Sequence, residues 1–186
     1  VAVLYYYRGE VLDLACGFFS GLAKKIKNPE QTVDPRFKIV LYLILATAIT
    51  AGIGLLFQPF VETEFRSMTV VGILLIINSA ILTASRFEGA FNVSAGELNW
   101  KSALILGLAQ GIAVLPGISR SGMTITTALL LGIPRKDCAS YSFILSIPVI
   151  LGALILHFKD LMHLESTQVF GLILCAGIAA IVGLLC

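Results

Sequence analysis

Long apolar runs separated by short polar connections make up most of the chain. A helix needs about 20 apolar residues to cross a bilayer, so runs of this kind predict membrane-spanning helices. We predict three complete spans, over residues 39–58, 68–84 and 138–158. The apolar runs at the two ends, 1–7 and 169–186, are interpreted as parts of truncated spans, so we expect the chain to be a piece of a longer protein. The pattern predicts one all-α, polytopic membrane domain.

The apolar stretch 102–132 differs from the others because Pro116-Gly117 and a polar cluster interrupt it. As one helix it would be about 46 Å long, well beyond a hydrocarbon core of about 30 Å. Its two arms, Ser102–Leu115 and Gly122–Gly132, are only about 21 and 16 Å long, so neither crosses alone. We therefore predict a re-entrant helix–loop–helix hairpin. Other helices should surround it, because irregular backbone at membrane depth must be shielded from lipid.

Composition and charge agree with this architecture. Hydrophobic residues make up 58% of the sequence and charged residues 13%, with a mean hydropathy of +0.95, which excludes an ordinary soluble domain. Lys and Arg number six in 8–38, two in 84–101 and two in 134–137, against one in each of the two other connections. Basic connections that flank spans stay in the cytoplasm, so we predict a cytoplasmic loop over 8–38, with a helix break at Asp34-Pro35. An amphipathic helix on the membrane surface remains an alternative for the first part of this loop.

Other polar side chains in the apolar runs have structural interpretations. Asn78, Ser79 and Thr83 in the second span predict hydrogen bonds between helices. The four cysteines show no CxxC spacing and have no histidine at metal-ligand distance, so they are interpreted as small hydrophobic residues. No metal site is predicted on this chain.

The start of the second arm of the hairpin carries chemistry suited to an anion. Free backbone N–H groups at a helix N-terminus attract negative charge, and the planar fork of Arg120 suits phosphate. Ser119 has the chemistry of a nucleophile that attacks phosphorus, although no Asp, Glu or His lies near it, and Gln110 on the first arm is not a base. The structural alternative is a kinked helix in which Arg120 extends to the membrane surface. The candidate residues around the break are Gly117, Ser119, Arg120, Ser121, Gly122 and Thr124.

The motif at this break resembles that of a known family. LPGISRSGMTIT at Leu115–Thr126, preceded by GLAQGIA and followed by SFILSIPVILGA, is similar to the undecaprenyl-diphosphatase family of bacitracin-resistance membrane phosphatases. The family pattern Pro-Gly-x-Ser-Arg-Ser-x-x-Thr is complete here, and the resemblance extends over essentially the whole chain.

The resemblance implies a hydrolase that removes one phosphate from undecaprenyl diphosphate, so that the carrier lipid is reused in peptidoglycan synthesis and bacitracin resistance results. It implies a multi-pass protein of the bacterial inner membrane, built as an inverted repeat with two re-entrant hairpins. The implied partners are the polyprenyl diphosphate substrate and membrane lipids, a homo-oligomer is an option, and no nucleic acid is expected. The activating cation would be Mg²⁺ or Ca²⁺. The residues that match or neighbour the family's site are Ser119 and Arg120 for catalysis, and Gly117, Ser121, Gly122, Thr124 and Gln110 for substrate binding.

The sequence departs from the family pattern in one respect. The family's first signature, a Glu-rich stretch leading to Pro-x-Ser-Ser-x-Gly-His, would lie upstream of Val1. Residues 107–122 are its repeat partner, and Gln110 occupies the place of its first acidic residue. Neither His157 nor His163 suits the role of the missing histidine, so we expect the 186-residue chain alone to be inactive. A transporter or lipid flippase with a midplane anion site is the alternative from another class, because such proteins use similar broken helices.

Overall fold

The computed structural model of this chain describes residues 2–27, 34–63, 65, 67–90, 98–156, 158 and 166–185. Helices account for nearly all of these residues, and no strand occurs among them. The helices are α1 Ala2–Tyr6, α2 Arg8–Lys27, α3 Pro35–Thr63, α4 Met68–Ala84, α5 Trp100–Ile112, α6 Arg120–Leu130, α7 Arg135–Leu156 and α8 Ser166–Leu185.

Three of the described helices are long and apolar enough to cross a membrane. They are Pro35–Val61 within α3, the whole of α7, and Gln168–Leu185 within α8. α4 is also apolar but has 17 residues, which gives a length of about 26 Å. The prediction of an all-α membrane protein is therefore confirmed, while the crossing of the bilayer by α4 stays a prediction.

The first part of the predicted loop over 8–38 is helical, as in the alternative of an amphipathic helix, whose place on a membrane surface stays a prediction. This helix, α2, packs on the start of α3. Gly17 and Gly21 allow this contact. A Cβ atom added at Gly17 would lie 2.6 Å from Cβ of Arg36, and one at Gly21 would lie 2.8 Å from Cβ of Phe37. Glycines four residues apart lie on one face of a helix and let another helix approach closely. The polar composition of this segment concealed that pattern.

The predicted helix break at Asp34-Pro35 is the beginning of α3. The carboxylate of Asp34 accepts a hydrogen bond from the backbone N–H of Arg36 at 2.9 Å, and Pro35 is the first helical residue. An Asp cap followed by Pro at the first position is a favourable helix start, because the proline lacks an N–H that would need a partner there. α3 is consequently longer at both ends than the predicted span 39–58.

α5 and α6 form a helix–loop–helix hairpin that packs on α3, α4 and α7. α5 begins at Trp100, where the side chains of Asn99 and Ser102 form a reciprocal capping box. α6 begins at Arg120, two residues before the predicted start of the second arm. α5 packs on α3, and α6 packs on α4 and α7, while one side of α5 is exposed. Its position relative to a bilayer stays a prediction.

The contact between α3 and α5 depends on Gly107. A Cβ atom at this position would lie 2.8 Å from the backbone oxygen and 2.9 Å from Cα of Ala46 on α3. The hydroxyl of Thr50 donates to the backbone oxygen of Gly107 at 3.1 Å and to that of Ala46 at 2.9 Å. Because backbone atoms cannot move aside as a side chain can, a larger residue at 107 must separate the two helices.

We predict that Gly107→Ala lowers the free energy of unfolding by about 1–3 kcal/mol, the usual cost of overpacking. Gly52→Ala on α3 is the matched control, because a Cβ atom there would meet nothing within 4 Å and alanine is favoured over glycine in a helix by about 0.5–1 kcal/mol. Thermal unfolding in detergent micelles measures both. Equal unfolding temperatures for the two variants would contradict the proposed close contact.

Candidate anion-binding site

The loop between α5 and α6 turns at Gly117 and packs on α4. Gly117 has a φ of +100°, a conformation that costs other residues energy. A Cβ atom there would also lie 3.0 Å from the backbone oxygen of Val71 and 3.3 Å from Cβ of Leu74, both on α4. Gly117 was predicted to be one of the substrate-binding residues. In the structure, the neighbour that approaches it is α4.

Ser119 is the N-cap of α6, and both of its polar groups have partners. Its Oγ accepts a hydrogen bond from the backbone N–H of Gly122 at 3.2 Å. Its own backbone N–H donates to the side-chain oxygen of Asn78 on α4 at 2.9 Å. The side chain nevertheless remains exposed. The start of α6 is thus held by its own capping hydroxyl and by one amide group from a neighbouring helix.

Gly122 makes room for this cap. A Cβ atom at Gly122 would lie 3.0 Å from Oγ of Ser119 and 2.6 Å from a side-chain methyl group of Leu82 on α4. A larger residue at 122 would therefore displace the hydroxyl of Ser119 or separate α6 from α4. Gly122 was predicted to be a substrate-binding residue, and in the structure it lies against the cap and α4.

Two backbone donors and one guanidinium at the start of α6 have no partner among the described residues. The N–H groups of Gly122 and Met123 are bonded to Ser119, which leaves the N–H groups of Arg120 and Ser121. The side chain of Arg120 is half-buried and makes no hydrogen bond or ion pair within the described part of the chain. An unpaired buried charge is costly. An anion at this position would pair with the guanidinium and accept from both N–H groups.

Two of the predicted site residues point into the helix packing instead. Thr124 is 1% exposed, and its hydroxyl contacts the backbone oxygens of Arg120 and Ser121 and the hydroxyl of Ser142 on α7. Gln110 is also 1% exposed, and its amide nitrogen donates to Oγ1 of Thr50 on α3 at 3.3 Å. The structure therefore brings Ser119, Arg120 and Ser121 together at an accessible edge, with Thr124 beneath them and Gln110 turned towards α3.

The donors at this edge fit an anion rather than a metal ion. Mg²⁺ and Ca²⁺ take oxygen ligands, carboxylates above all, whereas the edge presents a guanidinium, two N–H groups and hydroxyls. The described residues contain no group of three or more His, Cys, Asp and Glu side chains that could hold a metal. We therefore derive no reaction step through a cation.

Comparison with known proteins identifies the family. The family model described as bacitracin resistance protein BacA matches residues 1–186, the whole chain. The chain belongs to this family. The resemblance predicted from the motif at 115–126 is thereby confirmed.

Several curated relatives are called undecaprenyl-diphosphatase. The protein from Alcanivorax borkumensis is 40% identical over 172 residues, which cover 92% of this chain and 63% of the relative. That from Desulfatibacillum aliphaticivorans is 37% identical, with 98% of this chain and 68% of the relative covered. That from Korarchaeum cryptofilum is 40% identical, with 84% and 58% covered. The chain thus spans about two thirds or less of the length of these relatives.

Sequence reasoning did not find Asn78 and Ser142 as neighbours of the site. Asn78 was expected to bond another helix, and its side-chain oxygen does accept from the backbone N–H of Ser119, the N-cap of α6. The sequence did not indicate that this helix is the one that carries the candidate site. Ser142 lies in the motif that follows the hairpin, and its contact with Thr124 depends on how α7 is rotated against α6. The only signal in the sequence was a polar residue within an apolar run, which names no partner.

The packing of the loop on α4 can be tested at Gly117. We predict that Gly117→Ala lowers the free energy of unfolding more than Gly89→Ala does, although both positions have positive φ, +100° and +71°. Backbone strain of about 1–3 kcal/mol is common to both, but only at 117 would the new Cβ meet α4, since nothing lies within 4 Å of it at 89. Thermal unfolding in detergent measures the difference. A larger loss for Gly89→Ala would show that the loop does not pack on α4 as described.

Proposed function

We propose that this chain carries the phosphate-binding half of the active site of an undecaprenyl-diphosphate phosphatase. The observation that supports it is Arg120 beside two N–H groups at the start of α6, all without a partner among the described residues, in a chain of the BacA family. The curated relatives named above are called undecaprenyl-diphosphatase. In this proposal the product is undecaprenyl phosphate, the carrier lipid of peptidoglycan synthesis, and its renewal gives bacitracin resistance.

In the proposed mechanism Arg120 binds the terminal phosphate of the substrate. Its fork of donors, with the N–H groups of Arg120 and Ser121, holds the phosphate oxygens on which negative charge is concentrated. Donors fixed in place before reaction stabilise the transition state without reorganisation. Gly117 and Gly122 serve the site indirectly, because they permit the turn and the cap that present these donors.

Ser119 is the proposed nucleophile. Its Oγ forms a bond to the terminal phosphorus, the bond from that phosphorus to the bridging oxygen breaks, and undecaprenyl phosphate leaves. Water then hydrolyses the phosphoserine and releases phosphate. The proton of the hydroxyl must go to a base, and the described residues place no Asp, Glu or His in hydrogen-bond contact with Ser119. The base is therefore assigned to the family's first signature, which is not in this sequence.

The finer details of location and assembly belong to the same proposal. The helices α3, α7 and α8 are apolar enough to span a membrane, and we place them in the bacterial inner membrane as a multi-pass domain. The hairpin then enters from the cytoplasmic side, because the basic connections flank it. Membrane lipids are its surroundings, and a homo-oligomer and an activating divalent cation remain proposals.

The transporter alternative is not supported. A broken helix with an anion site is compatible with a carrier, but the family and the relatives described above point to a phosphatase. No observation in the described residues favours transport over hydrolysis.

Arg120 gives the direct test. In a protein that carries this chain together with the upstream signature, Arg120→Ala should reduce phosphate release from undecaprenyl diphosphate by a factor of about 100 or more, since it removes fixed charge at the transition state. Arg120→Lys should recover only part of the activity, because lysine lacks the fork. Arg135→Ala is the control, an exposed arginine on α7 that lies 3.6 Å from Glu88. Activity close to that of the wild type in Arg120→Ala would refute the assignment.

The 186-residue chain by itself should bind pyrophosphate but not hydrolyse undecaprenyl diphosphate. Binding needs only the donors at α6, whereas hydrolysis also needs the base assigned to the first signature. Titration calorimetry in detergent with inorganic pyrophosphate measures the first property, and phosphate release measures the second. Hydrolysis by the purified chain would show that the base lies within these residues.

A further inference from the structure

Ser142 is a buried polar residue on α7 that the proposed mechanism does not use. It is 5% exposed, and its hydroxyl lies 2.5 Å from the hydroxyl of Thr124 on α6. Thr124 in turn lies 3.0 Å from the backbone oxygen of Arg120 and 3.2 Å from that of Ser121. A chain of close polar contacts thus runs from α7 to the first turn of α6.

The direction of these hydrogen bonds follows from the groups involved. A carbonyl oxygen only accepts, so the single hydroxyl hydrogen of Thr124 is donated to the backbone oxygens of Arg120 and Ser121. The hydroxyl of Ser142 must then be the donor in its contact with Thr124. Ser142 therefore donates to Thr124, and Thr124 donates to the carbonyl oxygen of Arg120.

The hydrogen bond from Thr124 to the carbonyl oxygen of Arg120 affects a donor of the anion site. The carbonyl group of Arg120 and the N–H of Ser121 belong to the same peptide group. A peptide group that accepts a hydrogen bond at its oxygen is polarised, and its N–H becomes a stronger donor, by about 10–30% per bond in a series of this kind. The N–H of Ser121 is one of the two that have no partner among the described residues.

We infer that Ser142 is a positioning residue of the anion site, which acts through Thr124 on the first turn of α6. This inference rests on the proposed function of that turn. It also gives Thr124 a different role from the substrate contact suggested by its place in the motif, because its hydroxyl is buried and already bonded on both sides.

A purely structural role is the competing explanation. Two bonded hydroxyls between α6 and α7 stabilise the contact of these helices, and removal of one leaves the other buried without its partner. Such a role would change the unfolding temperature but not the affinity of the folded protein for an anion. The two explanations therefore differ in a binding measurement made well below the unfolding temperature.

The experiment combines Ser142→Ala, Thr124→Val and the double variant, with inorganic pyrophosphate as the probe in titration calorimetry. The proposed effect is about 10–30% of the strength of a hydrogen bond to a charged group, so Ser142→Ala should weaken binding by up to about fivefold. Thr124→Val, which removes the hydroxyl at constant shape, should weaken it at least as much. If Ser142 acts only through Thr124, the double variant binds no more weakly than Thr124→Val alone.

Ser146 provides the matched control on the same helix. It is buried, and its hydroxyl donates to the backbone oxygen of Phe143 at 2.6 Å, within its own helix. Ser146→Ala should leave the affinity for pyrophosphate unchanged, whatever it does to the unfolding temperature. If Ser142→Ala does not fold, Ser142→Cys keeps the size of the side chain with a weaker donor and should give a smaller loss in the same direction.

Two results would overturn the inference. One is an affinity for pyrophosphate in Ser142→Ala equal to that of the wild type. The other is that Ser142→Ala lowers the affinity by the same factor in the wild type and in Thr124→Val. Failure of the proposed function looks different. In that case Arg120→Ala binds pyrophosphate as tightly as the wild type does, or the wild type does not bind it at all. Binding that requires Arg120 but is indifferent to Ser142 would leave the proposed function intact and reject this inference alone.

Discussion

The close contact between α3 and α5 is the constraint on which the hairpin depends. α5 and α6 are each too short to cross a bilayer, with about 20 and 16 Å of helix, so neither can be anchored by lipid at both of its ends. α5 is held instead by its packing on α3. Gly107 makes this possible, because its missing side chain lets the backbones of the two helices meet. A residue that separated them would release the arm that leads to the anion site.

Buried polar groups extend this principle, because several of them join two helices. Thr50 connects α3 to α5, and Ser142 connects α7 to α6 through Thr124. Lipid tails are as apolar as the side chains they contact, so the hydrophobic effect does not drive helices together within a membrane. Close packing and hydrogen bonds between helices determine their association instead. One group in this network lacks a partner: the side-chain oxygen of Gln110 is buried and unbonded within the described residues. This oxygen carries the cost of desolvation without compensation.

The sequence predicted the elements of the fold better than their contacts. Length and composition were sufficient for the apolar helices and for the break at Pro116-Gly117, because a bilayer sets the length that a helix needs. They were less decisive at α2, for which both a loop and an amphipathic helix were predicted. Its contact with α3 depends on a pair of glycines that matter only when a partner helix is present.

In the candidate site, the sequence likewise indicated the chemistry of the residues but not the orientation of their side chains. The motif around Ser119 and Arg120 indicates phosphate binding however α6 is rotated, because the helix start, the guanidinium and the hydroxyl lie within three residues of one another. Whether Thr124 and Gln110 face the ligand or the interior is decided by the rotation of α6 and α5 against their neighbours. One sequence contains no information on those rotations. The bond between Asn78 and the backbone of Ser119 was unpredictable for the same reason, because it joins helices 41 residues apart.

In the proposed mechanism, the chemistry that α6 presents also accounts for our expectation that it does not suffice alone. A guanidinium and N–H groups stabilise negative charge on a bound diphosphate as well as on the transition state, and binding both states equally gives affinity without rate. The rate must come from a group that acts only as the reaction proceeds, namely the base that takes the proton of Ser119. A carboxylate placed beside Arg120 would pair with it and occupy the anion site before any substrate arrived. A base on a separate segment, directed at Ser119 but held away from Arg120, avoids this competition. The inverted repeat with two facing hairpins that the resemblance implies would provide that separation, with one hairpin for the charge of the phosphate and the other for the proton.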